Sequence, residues 1–303
     1  MIVLNKAVIN QVAILFLIMG IGVLLRKKGL LKNEAKKGFT DLILNITLPC
    51  MIISSFNQKF STNLLFNAAT ILIISFGTHI ASYSIGKLLY FNSSDDKKNI
   101  LRYLTVFSNA AFMGYPILEA LYGKTGVFYA SIYCIPVRIF MWTLGVMLFT
   151  KKKETNYFKQ VFLNPGIIAV GIGLVPFLLS IEFPIVISKT LTMMGNMTTP
   201  LSMLIVGAML ADADLKSIFA REVFYASFVR LIMIPMVTLL VLKSIGVSGE
   251  VLGTAIVLTA MPAATFTAIL AGKFHANEIF ASNCVFVSTV LSIITIPLII
   301  LLI

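Results

Sequence analysis

Charge is what this sequence has least of. Only 12% of its 303 residues are Asp, Glu, Lys or Arg, against about 25% in a soluble domain. The mean hydropathy is +0.97 and 58% of residues are hydrophobic. That balance excludes a soluble domain and leaves almost no water-exposed portion. Cysteine is scarce as well. Cys50, Cys134 and Cys284 all lie in apolar runs, with no CxxC or Cys/His spacing, so neither a metal site nor a disulfide framework is expected. Paired acids, an HExxH sequence and a Ser/His pair near an interface are all missing, so an enzyme is not expected. No acidic or carbonyl filter motif marks a channel. No small-residue cleavage site follows Leu25, and the basic cluster Arg26-Lys27-Lys28 comes after the apolar run, so a cleavable signal is not expected. No low-complexity or long hydrophilic stretch suggests a regulatory domain.

What the sequence has in abundance is apolar runs near 20 residues, each long enough to span a bilayer as a helix. Ten segments are predicted, at 7–25, 39–57, 64–90, 101–122, 126–150, 163–181, 189–211, 220–243, 250–272 and 278–302. The net charge of +12 raises the question of a nucleic-acid partner. Placement argues against one, because the basic residues sit in short loops and set orientation against the membrane lipids. Loops after segments 1, 3, 5, 7 and 9 carry seventeen Lys and Arg, and the termini and remaining loops carry five. The richer side belongs in the cytoplasm, which puts both termini outside a multi-pass protein of the cell membrane. The Lys151-Lys152-Lys153 run reads as a determinant of that topology, with a lipid or partner site as the lesser reading.

The chain also repeats itself at an offset of half its length. Gly20-Ile21-Gly22 recurs 151 residues later as Gly171-Ile172-Gly173. Asn45, Thr47 and Pro49 recur as Asn196, Thr198 and Pro200. Five segments per half turn the second copy over in the membrane, an inverted repeat of the kind secondary transporters use. The expected fold is an all-α integral membrane protein of ten transmembrane helices in a 5+5 inverted repeat. Residues 1–150 form the first repeat, 151–162 a cytoplasmic linker and 163–303 the second repeat.

Proline inside a helix removes a donor and clashes with the preceding turn, and lipid cannot satisfy what it frees. Segment 4 contains Ser108-Asn109-Ala110-Ala111-Phe112-Met113-Gly114-Tyr115-Pro116, and segment 9 contains Thr259-Ala260-Met261-Pro262-Ala263-Ala264-Thr265. If both helices break, as expected, the halves cross near the midplane and present free N–H groups and positive helix ends to an anion. A simple proline kink is the alternative. Asn45, Thr47 and Pro49, with Asn196, Thr198 and Pro200, are expected to bend segments 2 and 7, the polar side chains re-satisfying freed backbone. A wall of the substrate cavity, continued by Ser54 and Ser55, is the other reading.

The run Asn109-x-x-Phe112-x-Gly114-x-Pro116 and the run Met261-Pro262-Ala263-Ala264-Thr265 resemble the auxin efflux carrier family. That family includes plant auxin exporters and bacterial permeases assigned to malate or malonate. The resemblance extends over the whole chain. It implies a fold like that of bile-acid sodium symporters and sodium/proton antiporters, with spans 1, 2, 6 and 7 as scaffold and spans 3–5 and 8–10 as a moving core. It also implies a substrate site beside the crossover, with the family's span-4 asparagine at Asn109, and it makes a homodimer plausible.

The expected substrate site is Asn109, Gly114, Tyr115, Pro116, Met261, Pro262, Ala263, Thr265, Ser54, Arg138 and Arg230. An asparagine amide can donate two hydrogen bonds to a carboxylate without burying a charge; the competing role for Asn109 is to satisfy broken backbone. Arg138 and Arg230 lie deep in their segments, where they either bind the anion or bond freed carbonyls. His79, 151 residues before Arg230, is either a structural histidine or a proton relay. Glu119 is the one acid well inside a core segment, for coupling to a proton or cation or for reaching the interface near Lys124. Asp41, Asp212 and Asp214 read as solvated helix ends. The expected function is secondary transport of a small organic anion, a carboxylate, by alternating access. No cofactor is expected beyond a coupling proton or sodium. A sodium-coupled bile-acid-like symporter is the alternative, and a channel a weaker one.

Overall fold

The computed structural model describes residues 2–149, 157–212 and 218–303, and the regular structure of these residues is entirely helical. The Lys151-Lys152-Lys153 run and Asp214 lie outside the described residues. In chain order the helices are α1 (Ile2–Lys27), α2 (Asn33–Leu42), α3 (Leu48–Phe56), α4 (Thr62–Leu89), α5 (Asp95–Val106), α6 (Tyr115–Phe140), α7 (Val146–Phe149) and α8 (Tyr157–Phe162). They continue as α9 (Pro165–Leu178), α10 (Ile185–Asn196), α11 (Thr198–Ala211), α12 (Arg221–Phe228), α13 (Ile234–Ser244), α14 (Gly249–Ala260), α15 (Phe266–Lys273) and α16 (Glu278–Ile300). Among the described residues, six helical stretches are long and apolar enough to cross a membrane: Asn33–Phe56, Thr62–Leu89, Ala110–Phe149, Ile185–Ala211, Arg221–Ser244 and Glu278–Ile300. Pro165–Leu178 and Gly249–Ala260 are apolar but shorter. The stretch Ala110–Phe149 combines parts of predicted segments 4 and 5. Within α6 the backbone leaves the helix at Gly123 (φ 57°, ψ −140°), a conformation open to glycine, between the bounds predicted for those two segments.

The helices pause where the prolines require it. Stretches with π hydrogen bonding cover Ile43–Thr47, Ala110–Gly114 and Val229–Met233. Each ends two residues before a proline, at Pro49, Pro116 and Pro235. A proline ring collides with the carbonyl four residues back and gives it no N–H. One extra residue in the turn relieves that collision and lets a different donor reach the chain. Thus the N–H of Leu48 bonds the carbonyl of Ile43 and that of Ile234 the carbonyl of Val229. A fourth such stretch, Met141–Gly145, has no proline after it.

The chain forms two compact units. The first contains 1–70, 111–132 and 159–212, and the second contains 71–110, 133–158 and 213–303. In the first, α1 runs along α11, and α3 packs on α9 and α10. The repeated Gly-x-Gly pairs make these approaches possible. A Cβ on Gly22 would meet the Leu204 carbonyl of α11, and one on Gly173 would sit 2.7 Å from Cδ2 of Phe56 in α3. Gly20 and Gly171 face open space. One glycine of each pair is therefore a helix–helix contact, as small residues are in membrane bundles. Phe56, Phe128 and Phe177 fill the same unit, with ring centroids 4.7 Å (Phe56–Phe128) and 5.4 Å (Phe128–Phe177) apart. In the second unit, Tyr90, Leu101, Leu104, Val223, Phe280 and Val287 form a buried cluster. Large apolar side chains such as Ile73, Leu88, Leu240 and Ile294 remain exposed, as helices facing hydrocarbon require.

Candidate functional site

The second unit holds two interrupted helices side by side. Between α5 and the π stretch that begins at Ala110, residues 107–109 leave the helix. Between α14 and α15, Met261 turns extended (φ −63°, ψ 147°). The two gaps pair in antiparallel fashion at Ser108 and Ala263. The N–H of Asn109 donates to the Pro262 carbonyl at 2.8 Å, and that of Ala264 to the Phe107 carbonyl at 3.1 Å. The N–H of Ala263 donates to Ser288 Oγ at 3.2 Å. Buried backbone that no longer serves a helix thus serves its neighbour.

Arg230 completes this arrangement. It is 2% exposed, and its fork reaches three main-chain oxygens. Nε donates to Met261 at 3.1 Å, Nη1 to Thr105 at 2.7 Å and Nη2 to Thr259 at 2.6 Å. Those oxygens lie on both sides of the paired gaps. Of the two roles open to Arg230, bonding freed carbonyls is the one its geometry fills. Arg138 is half-buried and donates to the Cys134 carbonyl of its own helix at 3.4 Å. His79 is buried. Its Nδ1 lies 2.7 Å from the Ser75 carbonyl, which can only accept, so Nδ1 carries a proton. The ring stacks on Phe140 at 5.9 Å. His79 and Arg230, the pair 151 residues apart, line one gap of about 10 Å³ with Thr78, Ser108, Tyr133 and Thr259, room for a single water at most.

Asn109 sits at the edge of the paired gaps and is 2% exposed. Its main-chain N–H is used, yet its side-chain Nδ2 finds no hydrogen-bond partner among the described residues. A buried donor left without a partner costs roughly 1–3 kcal/mol, so such groups in native folds call for an explanation. Met261, Pro262, Ala263 and Thr265 are all buried in the same unit.

The remaining predicted residues belong to the first unit. Gly114, Tyr115 and Pro116 are buried at the start of α6. Thr47 and Thr198, again 151 apart, hydrogen-bond each other at 3.0 Å, both fully buried. Ser54 and Thr192 pair through their hydroxyls at 3.0 Å, and Thr199 donates to Glu119 Oε2 at 2.7 Å. Asn45 bonds the Asp41 carbonyl on an exposed face, and Asn196 is exposed. Pro49 follows its π stretch. Pro200 follows the α10–α11 junction at Met197 (φ −71°, ψ −21°). A larger recess of about 730 Å³ lies among Asn57, Lys59, Phe60, Pro176, Glu182 and Ser188, and none of the predicted site residues lines it. Sequence reasoning passed over Ser288, Thr192 and Thr199. Each is one hydroxyl among many in apolar helices, and only the fold shows what it meets. Asp212 is expected from the sequence to be a solvated helix end. It is exposed but tied, accepting from Arg26 Nε at 2.6 Å and Lys36 Nζ at 2.5 Å.

A family model described as membrane transport protein matches residues 7–166 and 158–300. The chain belongs to that family. Among its relatives, three match it over more than nine-tenths of its length. An uncharacterized transporter of Methanocaldococcus jannaschii is 24% identical, with 95% of this chain and 96% of the relative covered. One of Methanothermobacter thermautotrophicus is 23% identical, with 92% of each covered. One of Escherichia coli is 21% identical, with 94% of each covered. This is the family its segment-4 and segment-9 motifs resemble, that of the auxin efflux carriers. Membership and the apolar helices together make the chain a multi-pass membrane protein of a transporter family.

Proposed function

We propose that the protein is a secondary carrier for a small organic anion, with a carboxylate recognised at Asn109. The observation that carries this reading is the buried, partnerless Nδ2 of Asn109 beside the paired helix gaps. An amide donor meets a carboxylate oxygen well, and it does so without a second buried charge. Arg230 is spent on main-chain oxygens, so its role is to hold the gaps together and to lend the region positive potential, not to grip the anion. In this reading the paired gaps are the breaks of crossed spans 4 and 9 in a 5+5 inverted repeat. A core of spans 3–5 and 8–10 moves past a scaffold of spans 1, 2, 6 and 7, in a cell membrane with both termini outside. With the interior negative, export of a monoanion is favoured by about 2.3 kcal/mol per 100 mV.

The test is flux into proteoliposomes across a panel of mono- and dicarboxylates and indole acids. Saturable counterflow of at least one of them is expected in the native protein. Asn109→Ala should lower that flux at least about tenfold, the equivalent of one lost charge-assisted hydrogen bond, with the protein still folded. Normal flux in the variant would sink the assignment, and non-saturable conductance would replace the carrier with a channel.

A further inference from the structure

The first unit contains a second, smaller cavity. Its volume is about 40 Å³, and its lining includes Ser54, Ser55, Glu119, Lys124, Thr192 and Asn196. A water needs at least about 10–15 Å³ by this measure. The space therefore takes two or three waters or one partly hydrated ion, and it is too small for an organic acid.

What the cavity wants follows from counting hydroxyl protons. Thr192 donates its proton to the Ser188 carbonyl at 2.9 Å. In the Ser54–Thr192 pair the donor is then Ser54. Ser55 donates to the Ile52 carbonyl at 2.6 Å. Thr199, beside the cavity, donates to Glu119 Oε2 at 2.7 Å. Each of these hydroxyls has one proton and has used it. What the serines and Glu119 still offer is oxygen lone pairs and one carboxylate charge. Lys124 is the single other ionisable side chain among the lining residues. It is exposed, whereas Glu119 is half-buried. No other helix bordering the space, α3 through Met51, Ser54 and Ser55 or α10 through Thr192, Gly195 and Asn196, brings an ionisable group. A half-buried carboxylate with accepting oxygens around it calls for a positive partner.

We propose that this cavity binds a monovalent cation, a hydronium-borne proton or sodium, on Glu119 with Ser54 and Ser55, and that this is the carrier's coupling site. The coupling role rests on the carrier reading above; the cation site does not. Glu119 stands in the chain one turn after Pro116, so its occupancy is in a position to bias the α6 segment that follows the helix gap.

The experiment is difference infrared spectroscopy of the whole protein in bilayers, which reads carboxylate state without any substrate. One arm titrates pH without sodium, and the other titrates sodium chloride at fixed pH against choline chloride. A carboxylate band that responds in one arm and vanishes in Glu119→Gln is expected, and the responding arm names the ion. Glu119→Asp keeps a carboxylate and should move the band's position, which keeps the test decisive if Glu119→Gln fails to fold. A native protein that responds in neither arm overturns the site, as does a response that Glu119→Gln leaves intact or Glu119→Asp leaves unmoved. A response that appears only in Lys124→Ala also overturns it, because the lysine's own ammonium then fills the space. In proteoliposomes the matching ion gradient should stimulate carboxylate uptake at least about tenfold in the native protein and not in Glu119→Gln. A responding carboxylate in a protein that moves no carboxylate would retire the carrier reading and keep the cation site.

Discussion

The two units handle their buried polar groups in opposite ways. The second unit concentrates the task in one residue. Arg230 alone bonds three main-chain oxygens around the paired gaps, and a handful of main-chain bonds do the rest. The first unit spreads it out. Thr47 meets Thr198, Ser54 meets Thr192, Asn57 meets Ser188 and Thr199 meets Glu119, each a modest contact between two side chains. Such contacts are worth about 0.6 kcal/mol on average within membranes. The lesson is that backbone opened at the paired gaps draws on a single strong donor set, whereas helices that lie side by side are held by close approach and many weak pairs. One unit should break at a point, and the other should wear down gradually.

Arg230→Met is the sharpest way to break that contrast. It removes the guanidinium donors of three buried main-chain oxygens, so a loss of about 3 kcal/mol or more is expected, read as a lowered Tm in detergent by circular dichroism. Arg230→Lys should recover only part, because an ammonium cannot reproduce the planar fork. If Arg230→Met melts like the native protein, the second unit does not depend on one residue. The next effect lies in the first unit. Gly173→Leu drives a side chain into Phe56, at a cost of about 1–3 kcal/mol. Gly171→Ala, two residues away in open space, should cost nothing or stabilise by up to about 1 kcal/mol, since alanine is the better helix former. Equal costs at the two positions would show that close approach is not what holds this unit.

The smallest expected effect is electrostatic. Partial burial works to raise the Asp212 carboxyl. The hydrogen bonds from Lys36 and Arg26, with their charges, outweigh it and hold the group below the usual carboxylate range. A carboxyl lowered in the folded state stabilises fully above its unfolded value, near pH 3.9, and the stabilisation is lost as pH falls through the folded value. The group is largely exposed, so the contribution stays under about 1 kcal/mol and shrinks with salt. Asp212→Asn should therefore lower Tm slightly at neutral pH and not at all at acid pH. A deficit that persists in acid would mean the side chain packs rather than pairs.

Much of this was legible from residue order because membrane helices leave few options. Scarce charge and long apolar runs gave the helices, and glycine and proline gave their interruptions. The repeated Gly-x-Gly reads in the sequence only as an echo, because which glycine touches a neighbour depends on helix phase, which only packing settles. Arg230 was placed by the cost of a buried charge, and the same cost explains why it turned to carbonyls. The pairing of Ser108 with Ala263 was out of reach, because a register between residues 155 positions apart has no local signature. The partners of Glu119 were hidden for a related reason. Thr199 and Thr192 look like dozens of other hydroxyls until the fold sets one against Glu119 and the other against Ser54.

The π stretches before Pro49, Pro116 and Pro235 have a consequence for length changes in this chain. Each holds one residue more than an α turn, so removing one residue there restores the ordinary turn and leaves the helices on either side facing as before. The penalty falls on the proline alone. Removing a residue anywhere else in the same helix turns everything beyond it by about 100° and buries the wrong face. Single deletions in 43–47 and 229–233, those of Thr47 and Arg230 excepted, should therefore be the ones these helices survive best.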